Sequence, residues 1–554
     1  METFLINLLK KLHWLLYYDI IYLNFVQLER WYREKMKIKN NYDAVINTHS
    51  KNLHILYKSI LIGLLVGVVA SLYRLILMGA EELSLNIFSY LKLHFILLPI
   101  AFLLLIGIGL IVGKLISKFN MIGGSGIPQV KGIIMGYFKS NWLGTLISKF
   151  IGGALSILGG LSLGREGPSI QLGACVAQGV GDKFSKSRTE KKVLIASGAS
   201  AGLAAAFNAP LAGAMFAMEE IFKYLSPIIL LSTMASAVAA DFVSRMFFGS
   251  TPIFDFKVIS SIPLSEYWLL FLLGAVLGIA GAFYNYILIL TQKIYKKIKW
   301  LNVKTRTLVP FILAGILGIL FPLALGSGHK IIGELQLPAS ITFLLLILVI
   351  KFAFSIISFG SGAPGGIFFP LLIIGAVIGA IFGNVSINFL GVNQNLFYNF
   401  IILAMAGYFT AIVRAPITGV ILLTEMTGSF THLLSLAVVS IVAYVVADLL
   451  KSAPIYDSLL ENQILEREIE IDEHDDSKKV TIEVVVHYGS IAEKKLVKEI
   501  NFPKDCLLIA IKRRGKEFIP RGDTKILAED YLIFLTSISN EVKVRETLIH
   551  TTNY

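Results

Sequence analysis

Between Tyr57 and Leu450 the chain returns repeatedly to apolar runs: "ILIGLLVGVVASLY", "FILLPIAFLLLIGIGLIVG", "YWLLFLLGAVLGIAGAFY", "LVPFILAGILGILFPLAL" and "ITFLLLILVIKFAFSIISF". Several reach the roughly 20 residues that a helix needs to cross a bilayer core. In lipid, a backbone must satisfy its own N–H and C=O groups, which leaves helices as the natural solution for such runs. The 554 residues are 55% apolar and only 16% charged, with a mean hydropathy of +0.72. A soluble protein of this length carries far more charge. The sequence therefore predicts a polytopic α-helical membrane protein.

The net charge of +13 does not indicate nucleic-acid binding. Much of it sits at the ends of apolar segments, in "RWYREKMKIK" (30–39), "KSRTEKK" (186–192) and "QKIYKKIKW" (292–300). Such clusters mark cytoplasmic sides of a cell membrane protein. The two cysteines, Cys175 and Cys506, form neither a disulfide framework nor a metal spacing. The first 56 residues begin with an apolar, aromatic stretch broken by Lys10, Lys11, His13 and Asp19, without a signal-peptide cleavage pattern. It reads equally as an interfacial amphipathic helix or as an extension with little order.

Beyond residue 460 the apolar pattern ends, and an acidic linker over 461–477 includes "EIDEHDD". Residues 478–554 then read as a small α/β domain. "KVTIEVVVHYG", "CLLIAIKRRG" and "YLIFLT" are strands, "SIAEKKLVKEINF" is an amphipathic helix with Ser490 as its N-cap, and "PRGD" is a turn. The order resembles the TrkA-C (RCK-C) module of potassium-transport gating rings, carried by "HYGSIAEKKLVKEINFPKDCLLIAIKRRGKEFIPRGDTKILAEDYLIFL". The resemblance implies a regulatory domain, in some bacterial relatives a dimer that binds a cyclic dinucleotide; a dimerisation domain without ligand is the plainer alternative. The candidate ligand residues are Asn501, Lys512, Arg513, Arg514 and Pro520, because "IKRRG" ends a strand beside "IPRGD" and would gather basic groups able to take phosphates.

The membrane part repeats itself. "GREGP" (164–168) aligns with "GIFFP" (366–370), 202 residues later, and the same spacing carries Gly173 to Gly375, Ala174 to Ala376 and Gly181 to Gly383. Further on, Ala209, Pro210, Gly213 and Glu219 align with Ala415, Pro416, Gly419 and Glu425, 206 residues later. Duplicated halves are typical of transporters, commonly with opposite topology and a substrate site where Gly/Pro-interrupted helices meet. Here those interruptions are "GGSGIP" (123–128), "GREGP" and "GIFFP". Each puts glycine before a proline that suits a first helical turn, leaving free N–H groups at a helix start that favours anions.

The three motifs, in this order, resemble the CLC family of chloride channels and chloride/proton exchangers over roughly residues 61–460. The resemblance implies a CLC-type inverted repeat with broken helices, plus the small C-terminal α/β domain, in a homodimer without cofactors or metal. It places the anion against Ser125, Gly126 and Ile127 of the first motif, Arg165 and Gly167 of the second, the amides of Ile367 and Phe368 of the third, and the hydroxyl of Tyr456. Glu166 becomes the gating glutamate, occupying an anion site when ionised and leaving it when protonated. A structural ion pair with Arg165 is the competing reading, although Arg165 is expected to pair with a carboxylate elsewhere. Lys149 is similar to a family lysine that raises the potential for anions; a snorkelling interfacial lysine is the alternative.

Exchangers of this family carry a second, inner glutamate for protons, and "APLAGAMFAMEEIF" supplies Glu220 at that position. Glu219 has Glu425 as its repeat partner and reads as architectural, whereas Glu220 faces Met426 in the alignment and reads as dedicated to protons. The expected function is chloride/proton antiport, with a gated chloride channel or transport of nitrate or fluoride as alternatives. An enzyme is disfavoured for want of a nucleophile–base pair, a metal-spaced set or a phosphate loop. A potassium transporter is disfavoured for want of a carbonyl filter.

Overall fold

The computed structural model describes residues 53–185, 187–223, 225–254, 256, 261–337, 340–471, 479–513, 516–537 and 540–552. The N-terminal segment 1–52 and Arg514, both singled out in the sequence, lie outside the described residues. Seven of the described helices are long and apolar enough to cross a membrane, from Leu53–Leu93 to Gln394–Val413. Shorter apolar helices such as Trp142–Leu158 and Leu308–Leu320 lie between them. Their outer faces expose large apolar side chains, among them Leu103, Leu104, Phe271 and Phe283. Lipid, not water, suits such a surface. This is a multi-pass membrane protein with a small soluble domain at its C-terminus.

The chain divides into two compact units, one of residues 1–130 and 140–454, the other of 131–139 and 455–554. In the first unit the sequence repeat reappears as paired backbone geometry. Gly124 and Gly326 have φ of 66° and 60°, Gly126 and Gly328 94° and 92°, Gly160 and Gly362 82° and 77°. The residues before the Glu166–Phe184 and Phe368–Leu390 helices, Arg165 and Ile367, match at φ −86° and −88°. Asn208 and Arg414 both end helices in the left-handed region, at φ 52° and 67°, and each precedes an alanine and a helix-starting proline. The halves touch through equivalent residues: Gly164 N–H donates to Gly366 O at 2.6 Å, and Gly366 N–H to Gly164 O at 2.7 Å. A mutual contact of this kind is what a two-fold relation between repeats produces.

The interior is built from small residues. The Arg188–Phe207 helix is buried from Val193 onward and packs on Glu166–Phe184 so closely that a Cβ on Gly173 or Gly198 would strike the other's carbonyl. Its repeat mate, Phe397–Val413, is buried almost throughout. Small side chains let helix backbones approach where lipid supplies no hydrophobic drive.

In the second unit four antiparallel strands form a sheet in the order β1-β4-β2-β3: β1 Lys479–Val485, β2 Cys506–Arg513, β3 Lys516–Phe518 and β4 Tyr531–Ser537. Ile482, Val484, Ile511, Leu532 and Phe534 form its core with Val544 and Leu548 of the Glu541–Thr552 helix. The expected acidic linker begins as the end of a helix, Ile455–Ile471. Asp457 of that helix pairs with the buried Lys131.

One expectation fails here. "SIAEKKLVKEINF" does not form an amphipathic helix; only Val497–Glu499 makes a short 3-10 turn. Its backbone instead pairs with the 522–526 segment: Lys494 N–H to Ile526 O, Val497 N–H to Thr524 O, Lys498 N–H to Gly522 O and Ile526 N–H back to Lys495 O. Pairing with a distant segment outweighs a modest helical propensity. Ser490 accordingly caps no helix.

The small domain also rests on a charge pair. Asp530 is fully buried and accepts Nε and a terminal nitrogen of Arg513, each at 2.7 Å, and the Leu527 N–H at 2.8 Å. Removing one partner of a buried pair costs about 3–5 kcal/mol, and the partial exposure of Arg513 reduces this. Arg513→Ala in the fragment 478–554 is expected to lose about 2 kcal/mol of stability in thermal denaturation, with Arg513→Lys intermediate because lysine cannot form the fork. An unchanged melting temperature would contradict this.

Candidate functional site

The three motif loops converge. Gly167 stands so close to Ser125 that a Cβ would lie 2.8 Å from the serine Cβ and 2.9 Å from its carbonyl oxygen. Gly366 abuts Gly167, whose N–H lies 3.1 Å from where a Cβ on Gly366 would stand. Only glycine allows these approaches. The Ser125 hydroxyl accepts the Ile127 N–H at 3.3 Å, and Gly126 supplies the positive φ that turns the chain into the Ile127–Met135 helix.

The serine loop is tied down by its carbonyls. Lys149 donates to Ile122 O at 2.8 Å and Gly124 O at 2.6 Å; Gln129 donates to Gly123 O and Gln171 to Met121 O, both at 2.7 Å. Lys149 is fully buried, so it is not a snorkelling interfacial lysine. Ile367 precedes the Phe368–Leu390 helix and is buried. The Phe368 ring packs on Phe409 at 4.6 Å between centroids and on Phe207 at 5.1 Å. An apolar wall thus stands beside that helix start.

Glu166 opens its helix and is completely buried. Its carboxylate faces the N–H groups of Phe369 and of its own residue, without a hydrogen bond of standard geometry. Arg165 lies 3.7 Å away through Nε, and the charge of Arg74 also acts on it. The expectation that Arg165 pairs with a distant carboxylate is overturned: among the described residues its ion-pair partner is the adjacent Glu166, and its Nε makes no hydrogen bond. Both side chains sit at the same helix start, and among the described residues no other carboxylate forms an ion pair with Arg165. Arg74 and the buried Tyr73 beside Glu166 were not anticipated. An arginine inside the long Leu53–Leu93 apolar helix was the available signal, since intramembrane charge is expensive.

The two adjacent glutamates separate. Glu219 accepts Ile417 N–H at 3.1 Å, Thr418 N–H at 2.7 Å and the Thr418 hydroxyl at 2.8 Å. Its repeat mate Glu425 returns the arrangement, accepting Leu211 N–H at 3.0 Å and Ala212 N–H at 2.8 Å. Each half caps the proline-started helix of the other, satisfying N–H groups that a helix start leaves open. Glu220 is buried within a π-helical turn, Ala217–Phe222, a distortion frequent at functional sites. It lines a cavity of about 320 Å³ with Glu219, Lys223 and Arg414.

Tyr456 belongs to the second unit, at the start of the Ile455–Ile471 helix, and is fully buried. In the small domain, Arg513 is not a free basic group: Asp530 and the Lys525 carbonyl hold its guanidinium, because the buried carboxylate needs a countercharge. Lys512 leans over the Tyr531 ring at 5.9 Å, Asn501 is exposed and Pro520 half-buried. The basic cluster expected there is thus reduced.

A family model described as voltage gated chloride channel matches residues 108–448, and a TrkA-C domain model matches 481–548. The H(+)/Cl(-) exchange transporter ClcA of Klebsiella pneumoniae (strain 342) is 32% identical over 428 residues, 76% of this chain and 90% of the relative. ClcA of Salmonella typhi shows the same identity and coverage. Among solved structures, a slow cyanobacterial Cl-/H+ antiporter superposes with a TM-score of 0.68 at 30% identity, over 74% of this chain and 98% of that one. A CLC-type fluoride/proton antiporter shares the fold, with a TM-score of 0.61 at 24% identity over 73% and 97% of the two chains.

The reciprocal caps generate a prediction. Glu219→Ala removes three hydrogen bonds to the partner half, two of them from helix-start N–H groups, and should cost about 2 kcal/mol. Glu219→Gln keeps one acceptor and should lose less. Thermal stability of the purified protein in detergent, followed by size exclusion, measures both; equal melting of Glu219→Ala and wild type would exclude the capping role.

Proposed function

The chain belongs to the voltage gated chloride channel family, and from this premise we propose that it exchanges chloride for protons as a secondary-active antiporter. One observation carries the reading: a buried carboxylate, Glu166, stands at the meeting point of the three glycine loops, against the first N–H groups of the Phe368–Leu390 helix. A carboxylate and a chloride ion want the same donors. Ionised, Glu166 occupies them; protonated, it has little claim on them and gives way to the anion. One group then serves both substrates, and exchange follows from competition.

The anion is bound by Ser125 with the backbone of Gly126 and Ile127, by Gly167, and by the amides of Ile367 and Phe368. Arg165 and Lys149 contribute positive potential without sitting on the ion. Lys149 already serves two carbonyls, so its charge reaches the site through oriented backbone. Helix-start dipoles hold an anion less tightly than a bare ammonium would, which suits a site that must also release it.

Glu220 supplies the inner end of the proton route. Its burial in a π-turn beside a cavity, while Glu219 is committed to capping, supports a dedicated role. That the relatives ClcA and the cyanobacterial protein are H+/Cl- antiporters favours exchange over a channel. We further propose a homodimer in the cell membrane with the C-terminal domain in the cytoplasm. A cyclic dinucleotide is its candidate ligand, held by Asn501, Lys512, Arg514 and Pro520, with Arg513 structural.

Two experiments test this. In liposomes, an outward chloride gradient should drive proton uptake by wild type. Glu166→Gln, nearly isosteric, should abolish proton movement and leave anion flux almost insensitive to pH. Glu220→Gln should also stop protons while flux still responds to pH through Glu166. Wild-type chloride flux without proton movement would reject the exchanger. For the regulatory domain, calorimetry of the fragment 478–554 with a cyclic dinucleotide should show micromolar binding that survives Arg513→Lys; no heat at that concentration would leave only a dimerisation role.

A further inference from the structure

The fold contains the serine loop twice. Ser327 stands 202 residues after Ser125, flanked by Gly326 and Gly328 with the same positive φ values, within 6°, as Gly124 and Gly126. Lys351 stands 202 residues after Lys149 and repeats its task, donating to Ala324 O at 3.0 Å and Gly326 O at 2.9 Å. The backbone contacts agree: Gly124 N–H donates to Gly362 O at 3.1 Å, and Gly326 N–H donates to the equivalent Gly160 O at 3.2 Å.

The two loops differ in what they hold. Ser125 faces Gly167 of the second motif, whereas Ser327 holds a carboxylate. Ser327 N–H donates to Glu81 Oε1 at 3.0 Å, and its hydroxyl reaches both oxygens, at 3.0 and 3.2 Å. Glu81 comes from the Leu53–Leu93 helix, and the buried ammonium of Lys351 acts on it. A converging N–H and O–H beside the Lys351 amine form a cradle for a carboxylate or for a halide. A carboxylate tethered on a neighbouring helix competes at high effective concentration against any ion from solution.

We propose that the Ser327 loop is a second halide-binding cradle and that Glu81 is its tethered occupant, leaving one serine loop per chain open to the transported anion. The proposal rests on the reading of Ser125 as an anion ligand, and one experiment reports on the two separately. Crystals of the full chain are grown in bromide and anomalous density is inspected at both serines. Wild type should show bromide at Ser125 and none at Ser327. Glu81→Ala should add a bromide within hydrogen-bond reach of the Ser327 N–H and hydroxyl, and chloride calorimetry should gain one site per chain. Glu81→Ser serves the same purpose if Glu81→Ala is not recovered folded. Bromide at Ser327 in wild type, or its absence there in the Glu81 variant, overturns the proposal. Absence at Ser125 alone overturns the reading of that serine, because the Ser327 density is judged independently.

Discussion

Backbone polar groups that lie beyond the reach of water must find partners within the protein, and the membrane unit is organised around that demand. A broken helix is a liability in lipid, since it strands carbonyls on one side of the break and N–H groups on the other. Here the stranded carbonyls of residues 121–124 are taken up by Lys149, Gln129 and Gln171, and those of Ala324 and Gly326 by Lys351. Gly164 and Gly366 satisfy each other. Once the carbonyls are occupied, the N–H groups of the helix starts are what remains, and they face a common point. The proposed anion site lies where these loop carbonyls are already occupied.

Much of this was legible in the sequence because glycine and proline positions are dictated by backbone geometry. The 202- and 206-residue spacings found by aligning glycines reappear as matched dihedrals and matched contacts. The architectural reading of Glu219 followed from the same symmetry, since its repeat mate Glu425 makes the matching contacts. The capping geometry of Glu219 and Glu425 shows what that role consists of.

What stayed hidden depended on contacts between distant segments. "SIAEKKLVKEINF" carries a helical pattern, yet its backbone is claimed by residues 522–526, which a local pattern cannot reveal. "IKRRG" reads as a basic cluster, but a buried aspartate 17 residues on commits one of its arginines. Arg165 was expected to reach away from Glu166 and does not. The charge of Arg74 acts on Glu166 from a helix more than 90 positions earlier in the chain. Each depends on tertiary distance, which composition and periodicity do not encode.

The reciprocal caps carry a consequence for how such a protein can move. Many duplicated transporters work by rocking one half against the other. In this chain Glu219 is fastened to the helix of the second half and Glu425 to that of the first, and the Gly164–Gly366 pair joins the halves again elsewhere. Rocking would break several hydrogen bonds at once, at roughly 1 kcal/mol for each. The halves are riveted rather than hinged. Motion of one half against the other is thereby resisted, whereas a side chain turning on its own bonds, as proposed for Glu166, breaks none of these contacts.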